Sequence, residues 1–342
     1  MVFNLTDIKR LFYIFCVLPA LAALAVQAGR PVSLLNVSYD PTREFYQEIN
    51  AAFAKDWKDK TGQDVTISQS HGGSGKQARS VIDGLQADVV TLAVATDIDA
   101  LHTHGNLVPE NWQQRLPNNS CPCFSTIVFL ARRGGRVKVK DWDDLIQPGL
   151  SVVAPNPKTS GGARWIYLAA YGWALRAHHG DEAEARRFIQ QFYRNVPVMD
   201  EGARGAATTF AQRDIGDVLV SWESDALTIV NGFGRGRFDI IYPPASIQAE
   251  PPVAMIDKYV DLHGTRAVAE AYLRFLYTPA AQDIAARHYF RPSLEEAARR
   301  HAALFAPVNM FTVQELFGSW QQVQKTHFDE GGLFDQIARS RR

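Results

Sequence analysis

Short apolar runs alternate along this chain with stretches in which apolar residues recur every three or four positions. Unbroken apolar runs predict strands that are covered on both faces of a sheet. The predicted strands span residues 33–39, 64–70, 88–95, 126–132, 151–156, 196–199, 217–222, 239–242 and 253–257. Helical spacing is clear at Phe45, Ile49 and Phe53, and segments 267–277 and 280–288 predict surface helices with one apolar face. This alternation predicts an α/β fold with largely parallel sheets.

The chain is longer than a single domain of average size, which favours two lobes. It has 342 residues, more than a single hydrophobic core usually serves. The sequence shows no internal repeat, no low-complexity tract and no long linker. We therefore expect the two lobes to be joined by strands or short segments.

The first 28 residues have the pattern of a signal peptide. Lys9 and Arg10 form a short basic region, and residues 11–26 are nearly all apolar and carry no charge. Ala28 provides the small residue expected before a cleavage site. The alternative is a membrane anchor, but the apolar run is short for a spanning helix and contains Pro19. The sequence therefore predicts an exported, periplasmic protein that is cleaved near Ala28.

Charge is balanced along the chain. Lys and Arg together number 36, and so do Asp and Glu. No global field therefore attracts nucleic acid or an anionic membrane. If an anion binds to this protein, the attraction must be local.

The cysteines do not form a recognisable metal motif. Cys16 lies in the predicted signal peptide, which leaves Cys121 and Cys123 in a C-x-C arrangement without further metal ligands nearby. A disulfide between positions two residues apart would be strained. Two alternatives stay open, a pair of loop thiols or a pair oxidised in the periplasm. The sequence predicts neither a bound metal nor a cofactor.

Four strand-to-helix turns carry the polar and glycine residues from which a binding site could form. They span residues 39–43, 71–77, 159–164 and 202–205. Asp40 has the residue type of a helix N-cap, with Pro41 at the first helical position. Ser74 and Gln77 fit a capping box. A single such turn is usually only a tight connection, but several helix N-termini in one chain favour a site that binds an oxyanion through neutral donors.

Enzymatic motifs fail at identifiable residues. A phosphate loop would need glycine where Ser70 stands and a hydroxyl residue where Gln77 stands. A nucleophile elbow centred on Ser74 would need glycine at Lys76. His102 and His104 have no third ligand at metal spacing. No convincing catalytic set remains, so we expect a binding protein and not an enzyme.

Several long motifs resemble the periplasmic sulfate- and thiosulfate-binding proteins of ABC importers. They are Asn-Val-Ser-Tyr-Asp-Pro-Thr-Arg-Glu at 36–44, Gln-Ser-His-Gly-Gly-Ser-Gly-Lys-Gln-Ala at 69–78, Ala-Pro-Asn-Pro-Lys-Thr-Ser-Gly-Gly-Ala-Arg-Trp at 154–165, Gly-Ala-Arg-Gly at 202–205, Gly-Asp-Val-Leu at 216–219, Trp-Glu at 222–223, Ala-Glu-Pro-Pro at 249–252 and Tyr-Phe-Arg-Pro at 289–292. The resemblance extends from about residue 33 to near the C-terminus.

The resemblance implies a type II periplasmic binding protein in which two lobes, each a mixed, mostly parallel sheet flanked by helices, close on the anion. After the signal peptide (1–28), lobe I would comprise residues 29–123 and 251–342, and lobe II residues 124–250. The resemblance also implies a monomer that delivers sulfate or thiosulfate to the membrane permease subunits of an ABC importer.

The resemblance further implies a set of site residues. The anion donors would be the backbone of Asp40, Ser74, Ser160, the backbone N–H groups of Gly161, Gly162 and Ala203, and the indole N–H of Trp222. Behind them, the resemblance implies that Arg79, Arg164 and Arg204 support the binding peptides by bonding their carbonyls.

A shell made only of donors suits sulfate, which carries no proton at neutral pH. A phosphate proton would face another hydrogen in such a shell, so phosphate should be rejected. This chain departs from the family pattern at residues 120–125, at Thr96, and at Ser221 and Ser224 beside Trp222. None of these is an expected donor, but the changes near Trp222 leave the preference between sulfate and thiosulfate open. The same fold with another oxyanion, molybdate or phosphate, and an enzyme acting on sulfur esters, are the alternatives.

Overall fold

The protein is represented by a computed structural model that describes residues 30–232 and 234–340. The predicted signal peptide and Cys16 lie outside these residues. Within the described part of the chain, no helix is both long enough and apolar enough to cross a membrane.

Strands and helices alternate along most of the chain. The strands are β1 Val32–Tyr39, β2 Val65–Gly72, β3 Val89–Thr91, β4 Cys123–Phe124, β5 Ile127–Arg132, β6 Val152–Pro155, β7 Met199–Asp200, β8 Val218–Trp222, β9 Phe238–Ile241, β10 Ala245–Ile247, β11 Val253–Met255, β12 Arg291–Pro292 and β13 Asn309–Phe311. The α-helices are α1 Arg43–Thr61, α2 Ser74–Ile82, α3 Ala95–Gly105, α4 Gly161–Ala177, α5 Glu182–Arg194, α6 Ala203–Ala207, α7 Glu223–Asn231, α8 Asp257–His263, α9 Arg266–Phe275, α10 Pro279–Arg287, α11 Glu295–Arg300, α12 Val313–Phe317, α13 Trp320–Val323 and α14 Leu333–Ser340. Short 3-10 helices span Asp40–Thr42, Trp112–Arg115, Trp142–Ile146 and Ala302–Leu304, and π-helical turns span Thr208–Gln212 and Gln324–Phe328.

Two larger sheets organise these elements. The first has the order β11-β3-β1-β2, and the second has the order β7-β6-β8-β5-β9. In the first sheet β1 is parallel to β2 and β3, while β11 is antiparallel to β3. In the second sheet β6 is parallel to β7 and β8, while β5 is antiparallel to β8 and β9. The predicted α/β class is confirmed, and both sheets are mixed.

The chain crosses from the first sheet to the second between β3 and β5, and it returns between β9 and β11. An isolated bridge between Ser125 and Ala249 holds the outgoing and returning segments side by side. Beside it, β4 pairs antiparallel with β12, which comes from the C-terminal part of the chain. The crossing is therefore held by pairing among three segments: the outgoing chain, the returning chain and the C-terminal part.

The predicted helical spacing around Phe45 corresponds to α1. Phe45, Ile49 and Phe53 are all buried, and Phe53 packs edge-on against Tyr272 and Phe275 of α9. Burying a side chain of this size stabilises the fold by about 1.5–3 kcal/mol. The segments predicted as surface helices at 267–277 and 280–288 form α9 and α10, each with one buried face.

Some predicted boundaries are wrong. The strand predicted at 88–95 ends at Thr91 because Ala95 already begins α3. The strand predicted at 196–199 instead occupies Met199–Asp200. Strands β4, β10, β12 and β13 were not predicted, because two or three residues are too few to show a period.

Candidate functional site

The four predicted turns lie at the carboxyl ends of strands and open helices. The first two follow β1 and β2 of the first sheet, and the other two follow β6 and β7 of the second. Trp222 ends β8 and precedes α7. The first N–H groups of each helix have no acceptor within the helix and carry partial positive charge. These strand ends therefore present several neutral donors.

The turn after β6 abuts the turn after β2. A Cβ atom added to Gly161 would lie 2.8 Å from Ala93 Cβ and 3.1 Å from Ser74 Cβ. A Cβ atom added to Gly73 would lie 3.4 Å from the carbonyl oxygen of Thr159. The absence of side chains at these glycines lets the N-termini of α2 and α4 approach each other.

Gly162 and Trp222 meet within the second sheet's half of the site. The indole N–H of Trp222 donates to the carbonyl oxygen of Gly162 at 3.1 Å. Trp222 is buried, with Tyr39 on one side at a ring distance of 5.9 Å and Trp165 on another at 6.4 Å. The surrounding rings fix the direction of the indole N–H. An anion at this point would have to share that N–H with the Gly162 carbonyl.

Ala203 and Asp40 complete the assembly. Ala203 lines a small cavity of about 10 Å³ together with Gly162, Trp222 and Asp225. The 3-10 helix that begins at Asp40 packs against α6, which begins at Ala203. The structure thus brings all seven predicted donor positions into one continuous set of neighbours.

The predicted caps of the first two turns are wrong. Tyr39, not Asp40, occupies the N-cap position of the 3-10 helix, and the Asp40 carboxylate lies 3.8 Å from Arg43. Gly73, not Ser74, is the N-cap of α2, and no capping box forms there. Ser74 is instead the first residue of α2, so its backbone N–H is one of the donors without an intrahelical acceptor.

The hydroxyl groups of Ser74 and Ser160 differ in what they can offer a ligand. Ser74 Oγ donates to Asp97 and accepts from the backbone N–H of Ala93. Its single proton is therefore already used. Ser160 caps α4 by accepting from the N–H of Ala163 at 3.2 Å, so its own O–H proton stays free to donate.

Asp97 is the main site residue that the sequence analysis missed. It is buried, and burial raises the pKa of its carboxyl group although Arg164 and Ser74 lower it. Asp97 Oδ2 would lie 3.4 Å from a Cβ on Gly161. Its position at the start of α3 gave no sequence signal, because the strand prediction continued through residue 95 and obscured the turn.

The three arginines behave differently from one another. Arg164 donates from Nε to the carbonyl oxygen of Pro157 at 3.2 Å, and its Nη1 lies 3.6 Å from Asp97 Oδ1. Within the described part of the chain Arg204 makes no bond to a binding peptide; its Nη2 donates to the Glu44 carboxylate across the gap between α6 and α1. Arg79 is exposed, and within residues 30–232 and 234–340 its guanidinium has no hydrogen bond or ion pair. Only Arg164 therefore has the supporting contact that was expected.

The described residues contain no cluster of three or more His, Cys, Asp or Glu side chains that could hold a metal ion. Cys121 and Cys123 are free thiols, and both are buried.

The chain is similar to known proteins over most of its length. The family described as bacterial extracellular solute-binding protein matches residues 34–291. The chain is 53% identical over 319 residues to the sulfate-binding protein of Escherichia coli (strain K12), covering 93% of this chain and 96% of the relative. It is 52% identical over 330 residues to the thiosulfate-binding protein of Pseudomonas aeruginosa, covering 96% and 98%. The solved structure of the sulfate-binding protein SubI from Mycobacterium tuberculosis H37Rv superposes with a TM-score of 0.78 at 29% identity, covering 87% of this chain and 100% of that chain.

Proposed function

The chain belongs to the family of bacterial extracellular solute-binding proteins, and from this premise we propose that it captures sulfate and delivers it to an ABC importer. Thiosulfate is the second ligand that we propose, because the thiosulfate-binding relative is almost as similar as the sulfate-binding one. We propose a binding protein and not an enzyme.

One observation carries the proposal: the helix N-termini at Ser74, Gly161 and Ala203 gather into one set of neighbours with the indole of Trp222. Every proposed donor there is a backbone N–H, a hydroxyl or an indole N–H. A fully ionised dianion matches such a shell, because each of its oxygens can only accept hydrogen bonds. A protonated oxyanion would set its own hydrogen against a donor and leave a buried group unpaired, which costs about 1–3 kcal/mol.

The contacts refine the proposed donor set. We propose that the backbone N–H groups of Asp40, Ser74, Gly161, Gly162 and Ala203 bind the anion, together with the Ser160 hydroxyl and the Trp222 indole N–H. Ser74 would act through its backbone, because Asp97 already takes the proton of its hydroxyl. Arg164 would support the site from behind through its bond to the Pro157 carbonyl.

We propose that the two sheets mark two lobes that close around this site. Residues 29–123 and 251–342 would form the lobe of the first sheet, and residues 124–250 the lobe of the second. The Glu44–Arg204 ion pair joins α1 to α6 across the proposed cleft. We further propose that residues 1–28 are removed after export, that the processed protein is a monomer in the periplasm, and that it docks on the permease subunits of the importer.

The test is a titration of protein freed of bound anion. The exported protein is unfolded, dialysed, refolded in chloride buffer and titrated with sulfate by calorimetry. Thiosulfate, molybdate and phosphate follow in the same buffer. We expect one sulfate per chain and no heat from phosphate.

Two results would contradict the proposal. If correctly refolded protein bound no sulfate but bound molybdate or phosphate, the fold assignment would stand and the proposed ligand would be wrong. Turnover of a chromogenic sulfate ester would show that the protein is an enzyme. Ser160→Ala serves as the site control in the titration, because it removes a proposed donor and leaves the turn after β2 intact.

A further inference from the structure

The C-terminal segment, residues 309–340, packs on the lobe of the second sheet. Its strand β13 pairs in parallel with β10. Further along, Phe328 packs edge-on against Tyr167 of α4 at a ring distance of 5.1 Å, and α14 packs against α5. We therefore place residues 309–340 in the second lobe, although they fall within the range 251–342 proposed for the first.

The first lobe meets the second along α3 and the residues just before it. The indole N–H of Trp165 in α4 donates to the carbonyl oxygen of Ala93 at 2.6 Å. Arg164 Nη1 lies 3.6 Å from Asp97 Oδ1, and both side chains are largely buried. These two contacts lie beside Gly161, so they belong to the proposed anion site.

A further contact between the lobes joins Gln321 of α13 to Asp99 of α3. The amide Nε2 of Gln321 donates to Asp99 Oδ2 at 2.9 Å. The other carboxylate oxygen, Oδ1, accepts the indole N–H of Trp112 at 2.9 Å. Trp112 is buried in the first lobe, so its hydrogen bond fixes the direction of the carboxylate. Neither Asp99 nor Gln321 is one of the proposed anion donors.

Gln321 is also held firmly on its own side. The preceding residue, Trp320, is buried and packs edge-on against Trp165 of α4 at a ring distance of 4.7 Å. Trp165 in turn packs against Trp222 at 6.4 Å. The hydrogen bond between Asp99 and Gln321 therefore joins two supports that are each fixed by a buried tryptophan.

We propose that Asp99 and Gln321 are positioning residues that latch the two lobes together around the anion. The proposal rests on the sulfate binding and the lobe closure proposed above. A contact that exists only in the closed form raises the population of that form, and so raises the affinity for a ligand that it does not touch. For a partly exposed hydrogen bond to a carboxylate, the gain in sulfate affinity should be about 5- to 10-fold.

The test compares variants at position 321 by stopped-flow measurement of sulfate binding and release. Gln321→Ala removes the donor and should raise the dissociation rate and the Kd by about 5- to 10-fold, with the association rate close to that of the wild type. Gln321→Glu sets a second carboxylate against Asp99 and should weaken binding further. Gln322→Ala is the matched control, because Gln322 lines a separate cavity beside Tyr171 of the second lobe and should bind sulfate as the wild type does.

The double variant D99N/Q321E reverses the pair. The amide at position 99 can donate to the carboxylate at position 321, while its oxygen still accepts the indole N–H of Trp112. We expect the double variant to recover most of the affinity that Gln321→Glu loses. If Gln321 served only the stability of α13, a change on α3 would not restore binding, and the latch would be wrong.

Small-angle X-ray scattering of protein refolded without sulfate gives a readout that does not use the anion. The radius of gyration of Gln321→Glu should exceed that of the wild type, because open lobes extend further than closed ones. Equal radii together with equal dissociation rates in the two proteins would overturn the latch. If the wild type bound no sulfate, the proposed function would fail, and the scattering comparison would still decide whether Asp99 and Gln321 hold the lobes together.

Discussion

Ser74 gives its hydroxyl proton to Asp97, with 2.5 Å between Oγ and Oδ2. The same oxygen accepts the backbone N–H of Ala93 at 2.8 Å. Ser74 thereby links the start of α2 to the turn between β3 and α3, directly beneath Gly161 of the second sheet's turn. The side chain of Ser74 stabilises the architecture of the site, while its backbone N–H is the group available to a ligand.

Ser74→Ala and Ser160→Ala should both lower stability, but only Ser160→Ala should remove a direct contact to sulfate. Ser74→Ala leaves Asp97 Oδ2 and the Ala93 N–H without their hydrogen bonds to Ser74, which should lower the free energy of unfolding by about 1–3 kcal/mol. Ser160→Ala removes a donor to a charged ligand and should weaken sulfate binding by about 1–3 kcal/mol, in addition to the roughly 0.5–2 kcal/mol of stability lost with the cap of α4. Denaturant unfolding and calorimetry on both variants measure the two effects. Equal losses of sulfate affinity would mean that the Ser74 hydroxyl also contacts the anion.

Gly161→Ala should block the approach of the two turns. Its Cβ would lie 2.8 Å from Ala93 Cβ, a distance that real Cβ atoms do not tolerate. We expect the free energy of sulfate binding to become less favourable by about 1–3 kcal/mol or more, the cost of an overpacked contact. Secondary structure should be retained.

Gly75→Ala is the matched control for this substitution, because its Cβ would meet only Asp97 Oδ1 at 3.8 Å. We expect it to bind sulfate as the wild type does. If Gly161→Ala bound sulfate as tightly as Gly75→Ala, the turn after β6 would not be part of the binding site.

The buried ion pair between Arg291 and Glu223 should be costly to break. Two hydrogen bonds of 2.6 and 2.8 Å join the guanidinium to the carboxylate, with Glu223 fully buried. Arg291→Gln leaves a buried carboxylate without its partner and should cost about 3–5 kcal/mol of unfolding free energy. The double variant E223Q/R291Q should lose less than the sum of the two single variants. Additive losses would show that the two side chains do not depend on each other.

Asp225 should make stability depend on pH. Its Oδ2 is buried and has no hydrogen-bond partner among the described residues, and burial raises its pKa to about 7 although Arg204 opposes the shift. An unfolded aspartate titrates near 3.9, so between about pH 4 and pH 7 the folded state binds the extra proton. The contribution of Asp225 to stability is therefore present below pH 4 and is lost as the pH rises through 7.

Asp225→Asn removes this titration. Thermal unfolding across pH 4–8 should show the wild type losing stability relative to Asp225→Asn as the pH rises. The variant should be the more stable of the two at pH 8. A difference between the two proteins that does not change with pH would show that Asp225 is ionised throughout.

The fold class and the family follow from the sequence alone. Apolar runs such as residues 127–131 form buried strands wherever helices cover the sheet, and the spacing of Phe45, Ile49 and Phe53 predicts the buried face of α1. The turn motifs located the residues that the structure brings together, because glycine and serine at a strand-to-helix turn follow local rules. The resemblance to sulfate- and thiosulfate-binding proteins is confirmed by the comparisons.

How these turns are held depends on contacts that form only when the chain is folded. Asp97 and Ala93 lie far along the chain from Ser74, so their hydrogen bonds leave no local pattern. Arg204 bonds Glu44 and not the expected carbonyl. The reason is that α1 follows a strand of the first sheet and α6 a strand of the second, so the two helices meet only in the folded protein. The same reason explains why the short strands β4 and β12 were missed: two residues pair there because the crossing between the sheets brings them together. A local sequence pattern indicates which residues can begin a helix. Long-range packing determines which of their N–H and O–H donors have no partner in the protein and are available to a ligand.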